Sequence, residues 1–298
     1  MLAAYTTLRL SIGGERGGAN GEAQSGERGG GASSSSPSPT IPPGVALLEL
    51  ARPGAGNALS TISFTELPAA LAALSTHPGV RAIVIAGAGK HFCTGADLSA
   101  LTGAASVSQS NPADPAAGRA ALLALIRSWQ AAFTALEACP LPVIAAVHGA
   151  CVGAGIDLIT AADVRVADKN ATFCVKEVDL GIVADLGTLQ RLRLLVGDGV
   201  ARDWALTARK VTAGEAERAG LVCLAPAGVC VREAALALAA TLAAKPPRAL
   251  AGTKAVLLAA RDQSVAAGLE HVALWNGGGA LPSAEVAAAL EQVGRSRL

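Results

Sequence analysis

Two patterns of hydrophobic and polar positions alternate along the chain from residue 45 onward. Short apolar runs bounded by glycine or proline are typical of buried strands, whereas apolar residues spaced three or four apart are typical of helices. Strands are predicted at "VALLEL" (45–50), "VRAIVIAG" (80–87) and "LPVIAAVHG" (141–149), and helices at 60–76, 119–139 and within "VGAGIDLITAAD" (152–163). Residues 102–118 are small and polar and predict a loop. This alternation predicts an α/β domain.

The N-terminal segment lacks the residues that a core needs. Residues 13–44 are dominated by glycine, serine and proline, so we predict a disordered tail over 1–44. The opening "MLAAYTTLRLSIGG" could begin a mitochondrial transit peptide, but its basic content is thin and acids follow at 15, 22 and 27.

The C-terminal part of the chain carries helical spacing only. Helices are predicted at 229–244, 247–261, 264–275 and 282–293. We therefore divide the chain into the tail, a core domain over 45–228 and a helical region over 229–298.

Composition narrows the classes of partner. The 298 residues are 51% hydrophobic and 3% aromatic, with a formal net charge of +1, which argues against a nucleic-acid-binding surface. The most apolar stretch, 142–156, is shorter than the about 18 residues of a membrane span and contains His148, so no span is predicted.

The cysteines and histidines do not form a metal-binding pattern. None of the six cysteines forms a C-x-x-C pair, and the four histidines are scattered singly. We expect buried, free thiols in a reducing compartment and no metal site.

Two segments share one order of features: an apolar strand, a glycine-containing turn and the start of a helix. They are "IVIAGAGKHFCTGADLSAL" (83–101) and "VIAAVHGACVGAGIDLITA" (143–161). Two helix N-termini that face each other would present unpaired N–H groups to a developing oxyanion. The alternative is that the glycines only let a helix pack closely on a strand.

Carboxylates interrupt the apolar stretch "VKEVDLGIVADLG" (175–187). Glu177 and Asp185 flank Gly181, which suggests a turn that presents two acids to one space, and Asp157 lies just inside the second glycine-rich helix. Carboxylates without partners in an apolar cavity have raised pKa values, which suits proton transfer near neutral pH. Asp179 is interpreted as a surface or ion-paired residue.

The alternative interpretation of these acids is structural. Glu177 or Asp185 could form an ordinary ion pair with Lys176, Arg191 or Arg193.

Several motifs resemble those of a known family. "FCTGADL" (92–98), "PVIAAVHGACVGAGIDLITAADVRVA" (142–167) and "GTLQRL" (187–192) resemble the crotonase, or enoyl-CoA hydratase/isomerase, family. Within it, "VKEVDLGIVADLGTLQRL" (175–192) and "ALTARKVTAGEAERAGLV" (205–222) are similar to the Δ3,5-Δ2,4-dienoyl-CoA isomerases. Hydratases of the family carry Glu at the position of Asp157 and Gly at that of Asp185.

The resemblance implies a fold and a binding site. The fold would be a spiral of ββα units, with a C-terminal helical region that builds homotrimers or homohexamers. The backbone N–H groups of Ala96 and Ala154 would bind the thioester oxygen, although the family usually has glycine at position 154. The acyl-CoA site would also be lined by the segment of Thr94, Gly95, Ala96, Asp97 and Leu98.

The resemblance also implies a reaction. Conversion of a 3,5-dienoyl-CoA to the 2,4-isomer removes a proton from C2 and returns one at C6, which lie four bonds apart. We expect Asp185 and Glu177 to divide these tasks, with Asp185 favoured as the base, and Asp157 to tune or orient Glu177. No metal or redox cofactor is needed, and coenzyme A is part of the substrate. Alternatives are a 2-enoyl-CoA hydratase or a non-catalytic binding protein of this fold.

The last three residues suggest a cellular location. Ser296, Arg297 and Leu298 resemble the peroxisomal S-K-L signal, which favours the peroxisome in a β-oxidation enzyme, with the mitochondrion as the alternative.

Overall fold

The computed structural model describes residues 4–14, 40–109, 114–281 and 283–296. The strands are β1 Leu8–Ile12, β2 Val45–Leu50, β3 Ala82–Gly87, β4 Val143–Val147, β5 Ala150–Val152, β6 Val164–Ala167, β7 Thr172–Cys174, β8 Val211–Thr212 and β9 Cys223–Leu224. The helices are α1 Thr61–Thr76, α2 Leu98–Ser108, α3 Pro115–Ala138, α4 Ala154–Ala161, α5 Thr188–Val196, α6 Asp198–Thr207, α7 Ala213–Arg218, α8 Val231–Ala243, α9 Pro247–Ala259, α10 Val265–Trp275 and α11 Ala284–Ser296. Short 3₁₀ turns lie at Pro53–Ala55 and Glu177–Leu180, and a π turn at Asn276–Ala280.

Within the described residues, the main sheet has six strands in the order β1-β2-β3-β4-β6-β9. All its pairs are parallel except β1 with β2. Alternate residues of the central strands face opposite sides: Leu48 and Ile85 join the cluster shared with α1 and α3, whereas Leu47 and Val84 join the cluster covered by α8. Because both faces are buried, these strands are almost wholly apolar, as is usual for parallel sheets, and the one acid among them, Glu49 of β2, is ion-paired with Arg232.

A second, smaller sheet runs beside the first and positions the candidate site. Strands β5 and β7 are parallel, and β8 pairs antiparallel with β7. A single parallel bridge also joins Cys93 to Cys151 of β5. The chain therefore repeats one unit: a strand of the main sheet, a short strand of the second sheet and a helix. This is the spiral of ββα units that the family resemblance implies.

Helix α3 is fixed by its apolar face. Trp129 stacks on Phe64 of α1 with ring centroids 4.7 Å apart, and Phe133 meets Phe64 edge-on. Both α3 residues are buried, with Phe133 at 0% exposure. These contacts set which side of α3 faces the loops beyond it.

Two predictions of local structure are wrong. Residues 8–12 of the predicted disordered tail form β1, which pairs with β2, and Leu8 and Ile12 are buried at 4% and 8% exposure. Residues 15–39 lie outside the described residues. The predicted loop over 102–118 contains the end of α2 and the start of α3, because Asp97 and Asp114 cap helix N-termini that periodicity does not reveal.

The predicted C-terminal helices are present as α8 to α11. Helix α9 is tied to the core by Lys254, whose ammonium donates to the carbonyls of Leu136 and Leu141 and lies 2.7 Å from a carboxylate oxygen of Asp163. This contact joins the helical region to the loop between α3 and β4.

Candidate active site

The register of the second sheet brings the two glycine-rich turns together. Cys93 pairs with Cys151 in parallel, so Gly95 and Gly153 each lie two residues beyond the pair. A Cβ placed on Gly153 would lie 3.7 Å from the Cα of Gly95. The helices that begin just after these turns, α2 and α4, therefore start near one another, which is the first of the two interpretations that the sequence leaves open.

Two backbone donors are left free at this junction. Among the described residues, no backbone or side-chain acceptor receives the N–H of Ala96 or that of Ala154, the first residue of α4. The side chain of Ala154 is 3% exposed and belongs to the main core cluster. Its methyl group is thus packed into the core, and the change from glycine leaves the N–H donor in place.

Glu177 lies directly beside the same junction. It follows β7, whose Phe173 pairs with Cys151, and a Cβ placed on Gly153 would lie 3.1 Å from Oε1 of Glu177. Gly153 has φ 51° and ψ −117°, a conformation that side chains rarely adopt. Glycine is therefore needed at 153 both for the turn and for the close approach of the carboxylate.

The carboxylate of Glu177 is buried without a full set of partners. Within the part of the chain that the structure describes, its Oε2 atom has no hydrogen-bond partner. Burial raises the pKa of Glu177, and the negative charge of Asp185 raises it further. A raised pKa makes this carboxylate a better proton acceptor than an exposed glutamate, as general base chemistry requires.

Asp157 is the most deeply buried of the three acids. It lies in α4 at 1% exposure, and its Oδ1 accepts hydrogen bonds from the N–H of Thr188 at 2.6 Å and from its hydroxyl at 2.7 Å. Burial raises the pKa of Asp157 to about 7, and the charge of Glu177 adds to this effect while the Thr188 bonds oppose it. Asp157 and Glu177 are therefore electrostatically coupled, although Asp157 is anchored by Thr188.

Asp185 approaches from the loop before α5. The residue as a whole is exposed, but its carboxyl group is partly buried, and this burial raises the pKa of Asp185. The loop is held from outside by Gln130, whose side-chain amide donates to the Asp185 carbonyl at 2.6 Å. The structure thus gathers Asp157, Glu177 and Asp185 around one junction, where each carboxylate has a raised pKa.

The ion-pair alternative for these acids does not describe the structure. Arg191 binds Glu137 at 2.7 Å, and Lys176 binds Asp179 at 2.5 Å. The interpretation of Asp179 as an ion-paired surface residue is confirmed. Across the described ranges, no cation pairs with the carboxylate of Glu177 or Asp185.

The segment 94–98 divides into different roles. The N–H of Thr94 donates to the carbonyl of Gly56, which ties the segment to the turn after β2. Asp97 caps α2, accepts from the Ser99 hydroxyl and pairs with Arg52, each at 2.7 Å. The hydrogen bonds from Ser99 and Arg52 lower its pKa to about 2. Leu98 is 75% exposed. The Asp97 carboxylate therefore stabilises the fold through contacts with other residues, whereas the exposed Leu98 side chain is available to an apolar ligand.

Sequence reasoning missed three residues that support the acids: Gln130, Thr188 and Arg191. The "GTLQRL" motif contains the last two, but nothing in its spacing shows that Thr188 faces Asp157. Gln130 lies in a different helix, so its contact with the Asp185 loop depends on tertiary packing.

An open cleft lies where the Asp185 loop meets α3. The cleft, of about 430 Å³, is lined by Gln130, Asp185, Gly187 and Arg191, among others. A somewhat larger cleft of about 470 Å³ lies away from the acids, between α9 and α11. Within the described ranges, no group of three or more His, Cys, Asp or Glu side chains could hold a metal ion, and none of the described helices is long and apolar enough to cross a membrane.

Comparison with known proteins decides the family. Residues 40–273 match the enoyl-CoA hydratase/isomerase family. The chain belongs to this family. The match covers the spiral core and reaches into α10, so the resemblance seen in the sequence motifs is confirmed.

The relatives and solved structures agree with this assignment. The chain is 48% identical to the peroxisomal Δ3,5-Δ2,4-dienoyl-CoA isomerase of Arabidopsis thaliana, over 76% of this chain and 81% of the relative. It is 43% identical to the mitochondrial Δ3,5-Δ2,4-dienoyl-CoA isomerase of Homo sapiens, over 77% and 70% of the two chains.

Solved structures of family members have the same fold. An enoyl-CoA hydratase from Bacillus anthracis aligns with a TM-score of 0.76 at 27% identity, covering 85% of this chain and 93% of that one. A Thermobifida fusca protein described as an enoyl-CoA hydratase, solved in complex with acetoacetyl-CoA, aligns with a TM-score of 0.66 at 32% identity, covering 80% and 92%. The predicted crotonase-like fold is confirmed.

Proposed function

We propose that this protein is a Δ3,5-Δ2,4-dienoyl-CoA isomerase of fatty-acid β-oxidation. The observation that carries the proposal is the group of three carboxylates with raised pKa values beside two free backbone N–H donors. The identity to isomerases of this name in a plant and an animal supports the same activity.

The reaction moves two double bonds along the acyl chain. A base removes a proton from C2, the C2–H electrons form a C1=C2 bond, and the carbonyl electrons move onto the thioester oxygen. When the carbonyl re-forms, the C1=C2 electrons become C2=C3, the C3=C4 electrons become C4=C5, and the C5=C6 electrons take a proton at C6. The intermediate is an enolate conjugated with both double bonds, whose charge gathers on the thioester oxygen, so the reaction needs an acid, a base and an oxyanion site, but no electron transfer.

The three acids of the site fit these roles. Glu177 follows β7 and Asp185 lies eight residues later, in the loop before α5, so the two acids can serve opposite ends of the intermediate, with Asp185 favoured as the base at C2. Asp157 tunes Glu177 through its charge, because the two carboxylates cannot both ionise without repelling each other.

The two backbone donors complete the site. The N–H groups of Ala96 and Ala154 would bind the thioester oxygen, and each such donor lowers a barrier of this kind by about 3 kcal/mol. Thr94, Gly95, Asp97 and Leu98 would form the adjoining wall of the acyl-CoA site, with Leu98 as its exposed apolar member.

A spectrophotometric assay of purified protein tests the function. We expect conjugated 2,4-dienoyl-CoA to form from a 3,5-dienoyl-CoA, and Asp185→Asn to lower kcat by about a thousandfold with KM within about threefold. The control is hydration of crotonyl-CoA, which should be slow in both proteins. Faster hydration than isomerisation would instead identify a 2-enoyl-CoA hydratase.

Coenzyme A enters as part of the substrate. We propose that the enzyme uses no separate cofactor, because the proton leaves one carbon and another returns within the same molecule. Dialysis against a chelator should leave the isomerase activity unchanged, and a loss restored by added metal would contradict this proposal.

The assembly is proposed to be a homotrimer or homohexamer built by the C-terminal helices. Large apolar side chains are exposed on α9 to α11: Leu257 at 67%, Leu269 at 63%, Leu274 at 65% and Leu290 at 66%. Exposed apolar surface of this extent marks an interaction site. Sedimentation equilibrium should give three or six times the 29.4 kDa chain mass, and a monomer at micromolar concentration would contradict the proposal.

The location is proposed to be the peroxisome, through the terminal Ser296, Arg297 and Leu298. Arg297 and Leu298 lie outside the described residues. The Arabidopsis relative is peroxisomal and the human relative mitochondrial. A fluorescent fusion at the N-terminus should be peroxisomal and should disperse when the last three residues are removed. Mitochondrial fluorescence would favour the alternative.

A further inference from the structure

A row of polar side chains on α3 faces the loop that carries Asp185. Gln130, Thr134 and Glu137 follow one another at intervals of four and three residues, so they share one side of the helix. The neighbouring positions Trp129 and Phe133 are buried against α1 and fix how the helix is rotated. The direction of the polar row is therefore set by the core.

The first member of the row holds the Asp185 backbone. The side-chain amide of Gln130 donates to the carbonyl oxygen of Asp185 at 2.6 Å, across 55 residues of sequence. Since this bond fixes the peptide group that follows Asp185, it restricts the directions that the Asp185 carboxylate can take.

The other two members hold the loop through Arg191. The Arg191 guanidinium binds Glu137 at 2.7 Å and lies 3.4 Å from the hydroxyl of Thr134, and it also donates to the carbonyl of Leu186 at 3.3 Å. The side chains of Arg191 and Glu137 are each only 11% exposed, so water screens their pairing weakly. A Cβ at Gly187 would overlap this guanidinium, which shows how closely the loop is packed on it.

The loop is also held by its own apolar residues, since Ala184 and Leu186 on either side of Asp185 are buried at 6% and 7% exposure. Asp185 is exposed, and the five residues before it include Ile182 and Val183 at 44% and 72% exposure. Across the described ranges, no cation pairs with its carboxylate. The contacts from α3 therefore act together with the core packing of Ala184 and Leu186 to restrain this segment.

We propose that Gln130, Thr134 and Glu137 form a positioning row that holds the Asp185 loop, through Gln130 and Arg191, in the orientation that proton transfer requires. This inference rests on the proposed role of Asp185. Displacement of a reacting group by about 1 Å can lower a rate a hundredfold, so a single outer hydrogen bond can affect turnover without touching substrate.

The test compares variants that keep the shape of Gln130 and remove its donor. Gln130→Met and Gln130→Glu should lower kcat for a 3,5-dienoyl-CoA about tenfold, with KM within about twofold and the melting temperature unchanged. The control is Ser128→Ala, on the same helix, because the Ser128 hydroxyl is exposed and donates only to the Leu125 carbonyl of its own helix. It should retain wild-type kcat.

The variant Asp185→Asn, measured in parallel, separates the two proposals. If Asp185→Asn is inactive while both Gln130 variants match Ser128→Ala in kcat, the positioning row is overturned and the role of Asp185 stands. If Asp185→Asn is fully active, the role of Asp185 fails and the inference fails with it. A double variant of Gln130→Met and Asp185→Asn should lose no more activity than Asp185→Asn alone, because positioning acts only through Asp185.

Discussion

Replacement of Asp157 by asparagine should change how stability depends on pH. The folded protein holds the pKa of Asp157 at about 7 through burial and the charge of Glu177, whereas an aspartate in an unfolded chain has a pKa of about 3.9. Between these values the folded state binds a proton that the unfolded state has released. Because the pKa is raised on folding, stability falls as pH rises through this window, and the loss is complete above the folded pKa.

The size of this effect follows from the shift. From pH 5 to pH 8 the Asp157 carboxyl should remove about 3 kcal/mol from the free energy of unfolding. Asparagine does not titrate, yet its side-chain oxygen can still accept from Thr188. Urea unfolding at fixed protein concentration should therefore give Asp157→Asn a flatter pH curve than the wild type by about this amount.

An exposed acid provides the control for this experiment. Asp262→Asn, at an exposed position, should follow the wild-type curve. If Asp157→Asn and the wild type lose stability equally between pH 5 and pH 8, Asp157 does not hold a proton in the folded state, and its raised pKa is refuted.

Three further substitutions test the packing around the site. Gly153→Ala should abolish most activity and lower the free energy of unfolding by about 1–3 kcal/mol, because a φ of 51° is strained for alanine and the added Cβ would press on Glu177. The control for both kinetics and urea unfolding is Gly199→Ala, since Gly199 has open space around it. Phe133→Ala should lower the free energy of unfolding by about 3–5 kcal/mol in urea, since the ring is fully buried. Lys254→Met should speed proteolytic release of the C-terminal helices without changing the stability of the core, because the substitution removes the contacts of Lys254 between α9 and the core. Equal cleavage rates in the variant and the wild type would contradict this.

The sequence predicts the parts of the fold that local patterns determine. Strands such as 45–50 and the C-terminal helices are found as predicted because buried strands and one-faced helices leave a clear period in the chain. The prediction failed over 8–12, where a strand gains its stability only by pairing with β2, and over 102–118, where helix caps matter more than apolar spacing.

The acids and glycine turns of the candidate site could be predicted from the sequence, but the residues that hold them in place could not. Acids in an apolar stretch and glycines before helices are visible as departures from the core pattern, so Glu177, Asp157 and the two turns could be singled out. Their convergence depends on the register of Cys93 with Cys151, and the restraint on Asp185 depends on Gln130, 55 residues away. Contacts between distant segments leave no period in the sequence, which is why these supporting residues were missed.

The central claim is that two carboxylates serve opposite ends of one delocalised anion. It is tested most directly by following, in deuterated water, both hydrogen exchange at C2 and formation of the 2,4-diene with Asp185→Asn and Glu177→Gln. The account predicts that neither variant forms the diene at more than about a hundredth of the wild-type rate. With Asp185 as the base, only Glu177→Gln should still exchange the C2 hydrogen. Formation of the conjugated product at the wild-type rate by either variant would contradict the account.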